Sequence, residues 1–550
     1  MPVVEFNIKE LEKLTDKTLT KEILEEKIPM LGCDIEHIDD EKVRYEVFPN
    51  RPDMLSQEGF ARALKYFFGL DKGIPEYKTE KSGIKLNREK VKARPKITAA
   101  AVKNIKLTDE ILRSLMQTQE KLHKTLGRER RKLAIGIHDL DKVEPPFTYK
   151  AVKPNKFKFK PLNWNQELTL KQIQEKHEKG KYADILEGNE KWPVITDKNG
   201  QTLSFPPVIN SKTTEVTENT ENLFIDVTGT DQETIERALN IVVNSLRDRE
   251  GEISTVEVEG LGERPYLEPE EITIDLEYVN EMLGTDFRGE KFKKYVEEMG
   301  YDFKGKIGMS YTEEKTILIP PYRTDIMHPI DIVEDIAIRH GYDQFNTELP
   351  TVATTAKSNK ETDKKEKLKE LIIGYGYQEV KNMVLTNKQN QFTKMNKEPE
   401  QETLVELKNP LDKNHSICRN KALPQLLKNL SNNQHVSYPQ KIFELAKCLE
   451  LDEKSYNKVK AIEKLAIAKT DTQVNYNEIT ALLDSFMKNL GIGYELKKTK
   501  DPTFMKGRRA AIIHQDKEIG RLGEIHPKVL NNWDIEKPVI ALEIEIDKFL

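Results

Sequence analysis

The sequence predicts an α+β chain of several domains, two of them copies of one small helix-and-strand module with a winged-helix look. Three observations predict it. The 550 residues are too many for a single core. Helical apolar spacing and strand-like alternation succeed one another along the whole chain. A motif near residue 50 returns near residue 322.

Composition bounds the function. Hydrophobic residues make up 37% and charged residues 33%, enough for ordinary cores under heavily charged surfaces. The net charge of −5 excludes a global basic field, so contact with nucleic acid would need local patches or a partner chain. Cys33, Cys418 and Cys448 lie far apart and form no C-x-x-C pair, which argues against a disulfide framework or zinc ribbon and for a reduced, cytoplasmic location. The start, MPVVEFNIKELEKL, lacks the order of a signal peptide, and no apolar run reaches a membrane span.

The first unit is residues 1–80. "TKEILEEKIPMLG" has helical spacing and stops near Gly32, and "KVRYEVF" alternates as a strand. "DMLSQEGFARALKYFFG" is helical, with Leu55, Phe60, Ala63, Leu64 and Phe67 on one side, and Asp53 or Ser56 is placed to cap it. The second unit, 90–265, is mixed. Strand-like "KITAAAVKNIKL" precedes helical "TDEILRSLMQTQEKLHKTLG" and the strand "KLAIGIHDL". Pro-rich loops follow, then the helix "DQETIERALNIVVNSLRDR". The third unit, 268–346, holds the helices "LEYVNEMLG" and "GEKFKKYVEEMG", the strand "KTILIPP", and a helix from Pro329. Polar, lysine-rich "TVATTAKSNKETDKKEK" reads as a linker entering a helix. The last unit, 355–550, mixes helices with strands such as "QKIFELAKCLEL" and "VIALEIEI".

The repeat is visible when "FPNRPDMLSQEGFARAL" is placed over "PPYRTDIMHPIDIVEDI". Arg51 falls on Arg323 and Asp53 on Asp325, and upstream "IPMLGCDIE" parallels "VEEMGYDFK". An Arg and an Asp shared at a strand-to-helix corner read as architecture. The Asp can cap the helix and the Arg can pin the carboxylate. Asp53→Asn is then expected to cost only what a weakened cap costs. Only the second copy adds Asp331, Glu334 and Asp335, spaced i, i+3, i+4 on one helix face, with Asp325 on the turn before. Four such carboxylates suit a hard cation such as Mg²⁺. The plainer reading is that acids near a helix N-terminus favour its dipole.

At these residues the chain resembles the β-subunit family of phenylalanyl-tRNA synthetases, in its shorter archaeal and eukaryotic form. "PPVINSKTTEVTENTENLFIDVTGTD", "LPQLLKNLSNNQHVSYPQKIFELAKC" and "GRLGEIHPKVL" extend the resemblance in order over nearly the whole chain. The resemblance implies a heterotetramer of two α and two β subunits that attaches phenylalanine to its tRNA with ATP. It implies that ATP binds to the α subunit and that this chain holds no ATP site. The last unit is then a degenerate class II synthetase-like domain, an antiparallel sheet with helices serving as scaffold and interface. "SICRNKALPQLL" stands where a degenerate ATP-binding motif lies, and no G-x-G-x-G-x-x-R occurs in 355–550. The resemblance also implies one Mg²⁺ per β chain on Asp325, Asp331, Glu334 and Asp335, structural or interfacial in role.

The second unit resembles the family's editing module, which hydrolyses tyrosyl-tRNA made in error. A pocket built for phenylalanine rejects one added hydroxyl poorly, so a second site is chemically reasonable. The candidate residues are Asn210, Ser211, Thr217, Thr220, Asp226 and Thr228, in a Ser/Thr/Asn-rich run whose plainer reading is loop chemistry. "GRERRKL", Gly127 to Leu133, reads as a solvated helix end rather than a phosphate contact. The ten histidines show no metal-ligand spacing, and His514 and His526 read as packing or surface residues. Two other classes compete. A winged-helix nucleic-acid-binding protein would need a basic recognition helix, whereas "DIVEDIAIRH" is acidic. A free-standing editing hydrolase would have no use for the C-terminal domain.

Overall fold

The computed structural model describes residues 2–304, 314–352, 354–399 and 403–549. They form two compact units, Met1–Glu348 and Leu349–Leu550. Among the described residues no helix is long and apolar enough to cross a membrane.

The first module contains β1 (Val3–Asn7), α1 (Ile8–Thr15), α2 (Lys21–Met30), β2 (Cys33–Ile38), β3 (Lys42–Val47) and α3 (Gln57–Phe67). Its antiparallel sheet has the order β1-β3-β2. Alternation along β3 buries Val43, Tyr45 and Val47, and α3 lays Phe60 and Leu64 over them. The cap of α3 is Ser56, whose Oγ accepts from Gly59 N at 2.9 Å. Asp53 is not the cap. Its two oxygens accept from Arg51 Nε and Nη2 at 2.9 and 2.8 Å, inside a buried corner. The pair is a bidentate fork, so the expected modest cost of losing Asp53 is corrected upward.

The central domain has β4 (Glu80–Arg88), β5 (Lys96–Lys103), α4 (Asp109–Lys124), β6 (Leu133–Asp139) and β7 (Phe147–Val152). The short β8 (Lys158–Phe159), β9 (Leu168–Thr169) and α5 (Leu170–Lys176) follow. Then come β10 (Trp192–Thr196), β11 (Thr202–Phe205), β12 (Ile209–Asn210), β13 (Leu223–Gly229), α6 (Gln232–Arg247), β14 (Glu252–Val258) and β15 (Gly262–Arg264). One mixed sheet runs β12-β11-β10-β7-β4-β14-β5-β13-β6. The amphipathic α6 buries Ile235, Leu239, Val242 and Leu246 in the core it shares with the first module. The chain enters on β4 and leaves through β14 and β15. Ser254 sits beside Glu80, and Arg264 beside Val256, so entry and exit are neighbours.

The second copy follows as β16 (Glu270–Ile274), α7 (Leu276–Leu283), α8 (Gly289–Glu297), β17 (Asp302–Phe303), β18 (Lys315–Ile319) and α9 (Pro329–His340). Its sheet order, β16-β18-β17, repeats that of the first module element for element. The copies pack on each other. Arg62 stacks 3.9 Å over Tyr322, Ile74 N donates to Asp302 at 2.9 Å, and Arg51, Asp53 and Arg323 line one small cavity.

The second unit begins with α10 (Lys360–Gly374), β19 (Gln378–Glu379), β20 (Leu385–Thr386), α11 (Lys388–Gln391), β21 (Ile417–Cys418) and α12 (Leu423–Asn432). It continues through β22 (Gln440–Leu451), β23 (Val459–Thr470), α13 (Tyr476–Asn489), β24 (Glu495–Lys497), β25 (Phe504–His514), β26 (Lys517–Ile525), α14 (Pro527–Asn532) and β27 (Val539–Glu545). Part of the expected linker, from Lys360, is already helical. The seven-stranded sheet, β19-β22-β23-β27-β26-β25-β24, is antiparallel except for β19. Its faces differ in residue size. Phe443, Leu465, Ile467 and Leu542 share a core with α10 and α13. Small Ala446, Cys448, Ala466 and Ala468 on the other face let α12 approach closely.

Candidate functional site

The two edges of the central sheet, β6 and β12, face each other across a seam. No ladder closes it. Side chains do: Asn210 Nδ2 donates to Ile137 O at 3.1 Å, and His138 Nδ1 lies 2.9 Å from Thr214 Oγ1. A cleft opens along this seam, lined among others by Gln119, Arg130, Gly136, Ser204, Asn210 and Asp226.

One wall is a strained turn. Arg128, Glu129 and Arg130 all adopt left-handed φ, at 46°, 55° and 63°. Such angles cost non-glycine residues energy and persist only where neighbours hold them. Here the fully buried Arg94 imposes them, donating to Arg130 O at 3.0 Å and to Thr228 O at 2.7 Å. Burial lowers the Arg94 guanidinium to about 10. The turn drives Arg130 into the seam, where Nη1 donates to Pro207 O and Val208 O at 3.1 Å each and Nη2 meets Glu120. The reading of "GRERRKL" as a solvated end therefore holds for exposed Arg128 and Arg131 and is corrected for buried Arg130.

Behind Arg130, His123 Nε2 accepts from Ile135 N at 2.8 Å and so carries no proton. Burial lowers the imidazole to about 4, and it stays neutral. His123 Nδ1, 3.6 Å away, followed by the Arg130 charge, draws Glu120 down to about 2, so this carboxylate is a weak base.

The floor is built from β6 and β13. Gly136 has no side chain, and a Cβ there would collide with Asp226 Oδ2 and lie 2.8 Å from His138 Nε2. Asp226 Oδ2 is bonded to His138 Nε2 at 2.8 Å, while among the described residues Oδ1 has no partner. Ser204, which lines the same cleft, has a buried Oγ with no partner among the described residues. The glycine thus makes room for the Asp226–His138 bond, and Asp226 lines the cleft with one oxygen unspent, suited to a small polar donor on a bound ligand.

Of the residues expected from sequence, Asn210 and Asp226 line this cleft. Thr228 lies next along β13, its Oγ1 3.4 Å from Arg94 Nε. Ser211 caps the turn that carries Thr214. Thr217 is an exposed turn residue, and Thr220 donates to Asp139 at 2.8 Å. Thr228, Ser211, Thr217 and Thr220 therefore do not line the cleft. Gln119, Arg130, Gly136, His138 and Ser204 were missed. A glycine and a histidine two apart in "LAIGIHD" were the available signal, since a strand glycine marks a close approach.

The acidic corner of the second copy is more constrained than expected. Asp325 is not free to swing. Arg323 grips it at 2.9 and 2.7 Å and also reaches Asp335 at 2.7 Å, where Tyr301 donates as well. Asp331 Oδ2 accepts from Met327 N and His328 N at 2.8 Å each, at the start of α9. Glu334 alone has no partner among the described residues, and burial, then Asp335, Asp331 and Asp325, raises its carboxyl. The donor set is right in kind for a hard divalent cation. In the present rotamers, however, no three acids among the described residues converge on one point.

In the second unit, Arg419 of "SICRNKALPQLL" is spent internally. It is 1% exposed, ion-paired to Glu444 at 2.8 Å, and donates to Gln425 and Lys447 O. His526 caps α14, and His514 bonds to Gly493 O at 2.7 Å, both structural roles.

Comparison with known proteins agrees with this layout. Residues 96–245 match the B3/4 domain, 272–342 the tRNA synthetase B5 domain, and 346–546 the phenylalanyl tRNA synthetase beta chain CLM domain. The chain is 40% identical to the phenylalanine–tRNA ligase beta subunit of Methanococcus aeolicus, over 99% of this chain and 100% of that one. It is equally identical to those of Methanocaldococcus jannaschii (100% of both chains) and Archaeoglobus fulgidus (100% and 99%). An N-terminal fragment of the phenylalanyl-tRNA synthetase beta subunit from Pyrococcus horikoshii superposes with a TM-score of 0.58 at 36% identity, covering 62% of this chain and all of the fragment.

Proposed function

The chain belongs to the phenylalanine–tRNA ligase beta-subunit family, and from that premise we propose that its seam cleft hydrolyses tyrosyl-tRNA while an α subunit performs the synthesis. The full-length match sets aside the readings as a nucleic-acid-binding protein or a free-standing hydrolase. The α partner holds ATP and charges the phenylalanine tRNA, in an assembly of two α and two β chains in the cytoplasm. The second unit serves as scaffold, which fits an Arg419 committed to Glu444.

The observation that carries editing is the unspent Oδ1 of Asp226, a residue lining the cleft whose Oδ2 is held by His138 over Gly136. Tyrosine differs from phenylalanine by a hydroxyl, and a buried acceptor reads that group as a donor. Phenylalanine leaves the acceptor unpaired and is disfavoured. The test is deacylation of preformed tyrosyl-tRNA by the assembled αβ enzyme. The tyrosyl ester should be hydrolysed at least about a hundredfold faster than the phenylalanyl ester. A rate no greater than spontaneous hydrolysis would overturn the reading.

We also propose that Asp325, Asp331, Glu334 and Asp335 hold one Mg²⁺, which would relieve the repulsion that raises Glu334. The ion supplies charge neutralisation at the corner and takes part in no chemical step. After equilibration in millimolar Mg²⁺ and gel filtration, the wild-type chain should retain about one ion and the Asp331→Asn/Glu334→Gln variant close to none. That variant should also bind the α subunit more weakly. Asp53→Asn should leave the metal content unchanged. Full retention by the double variant would sink the site.

A further inference from the structure

His138 has no exposed surface and stands behind Asp226, which lines the cleft, outside the residues expected from sequence. It is held at both nitrogens. Nδ1 is 2.9 Å from Thr214 Oγ1, and Nε2 is 2.8 Å from Asp226 Oδ2. Asp226 stands directly across the ladder from Gly136, so the imidazole–carboxylate bond passes over a position where any side chain would break it.

The protons can be counted. Thr214 has one to give. Its alternatives to His138 are Leu203 O and Ser211 O, both at the longer distance of 3.3 Å. Leu203 O already accepts from Ser211 N at 2.8 Å. The shorter contact gives Thr214 O–H donating to Nδ1, which fixes the tautomer with Nε2–H donating to Asp226. Oδ2 is then spent on His138, and Oδ1 remains as a bare acceptor towards the cleft.

We propose that His138, oriented by Thr214, is a positioning residue that sets the discrimination between tyrosyl and phenylalanyl esters by presenting Asp226 Oδ1 as an obligate acceptor. The proposal rests on the editing reading above. It goes beyond that reading by assigning the specificity to a group that never touches the substrate. Without the imidazole N–H, the Asp226 carboxylate rotates freely, or takes a proton and becomes a donor. In either state it accepts from a phenolic hydroxyl less selectively.

The test uses the assembled αβ enzyme with His138→Leu and His138→Gln. Two ratios are measured. One is deacylation of tyrosyl- over phenylalanyl-tRNA. The other is affinity for the amide-linked, non-hydrolysable tyrosyl and phenylalanyl adenosine analogues. His138→Leu should lower both ratios by roughly tenfold to a hundredfold, the worth of one hydrogen bond to a charged group. His138→Gln, which keeps an N–H donor, should restore most of the loss. A merely structural role predicts equal damage in both variants, and that result overturns the proposal. So does a wild-type ratio in His138→Leu. If the wild-type enzyme binds the tyrosyl analogue preferentially but hydrolyses nothing, the editing reading fails while the role of His138 stands. No preference in binding overturns both.

Discussion

Asp226→Ala is expected to lower kcat/KM for tyrosyl-tRNA hydrolysis on the order of 10³-fold while phenylalanine charging by the α subunit continues. The size follows from what is lost together. The hydroxyl of the substrate loses its acceptor, and the His138 N–H is left buried without a partner. Asp226→Asn keeps the volume and one acceptor oxygen, so it should fall between Ala and wild type. Rates on preformed tyrosyl-tRNA, with phenylalanine charging measured in parallel, decide the matter. Wild-type hydrolysis by Asp226→Ala would mean that the hydroxyl is read elsewhere.

The second large effect concerns the corner at Arg51. Asp53→Ala is expected to destabilise the chain by about 3–5 kcal/mol, because it leaves a buried guanidinium with its counter-charge removed. The side chains are only 10% and 1% exposed, so solvent cannot screen the loss. A matched apolar pair, Arg51→Met with Asp53→Leu, should recover most of the stability, since it removes both buried charges together. Urea midpoints of the three proteins test this. A cost below about 1 kcal/mol for Asp53→Ala would place the pair among surface-like ion pairs.

The two repeated modules were legible in the sequence because each copy keeps Gly-x-Asp and then Arg-x-Asp in the same order, and the structure returns one connectivity twice. The long amphipathic helices α3, α4 and α6 were legible for the ordinary reason that their apolar residues recur every three or four positions. The choice between Asp53 and Ser56 as cap was not legible. Both are good capping residues, and only the position of the Arg51 guanidinium separates them. The cleft was half legible. Asp226 and Asn210 fell within a polar run that drew attention, but the β13–β6 ladder sets Asp226 against Gly136 and the seam sets Asn210 against Ile137, some seventy to ninety positions earlier in the chain. Such meetings are set by sheet curvature, which leaves no periodic trace. The left-handed turn at 128–130 was hidden for a different reason. It contains no glycine, and its φ angles are imposed by Arg94, a residue more than thirty positions upstream.

The twin modules have a consequence for how the chain is made. The first module leaves the ribosome with its Arg51 corner and the Arg62 face complete, but Tyr322 and Arg323, which cover them, are encoded roughly 250 residues later. At about 5–20 residues per second, that face waits for tens of seconds. Meanwhile the intervening domain must emerge and close its own sheet, bringing its exit strand back beside its entry strand. During that interval the nascent chain presents a half-finished interface whose natural complement is a copy of itself. Two neighbouring ribosomes on one message could therefore supply each other's missing half. A domain-swapped by-product of translation is the expected signature, and slower elongation through residues 80–265 should make more of it.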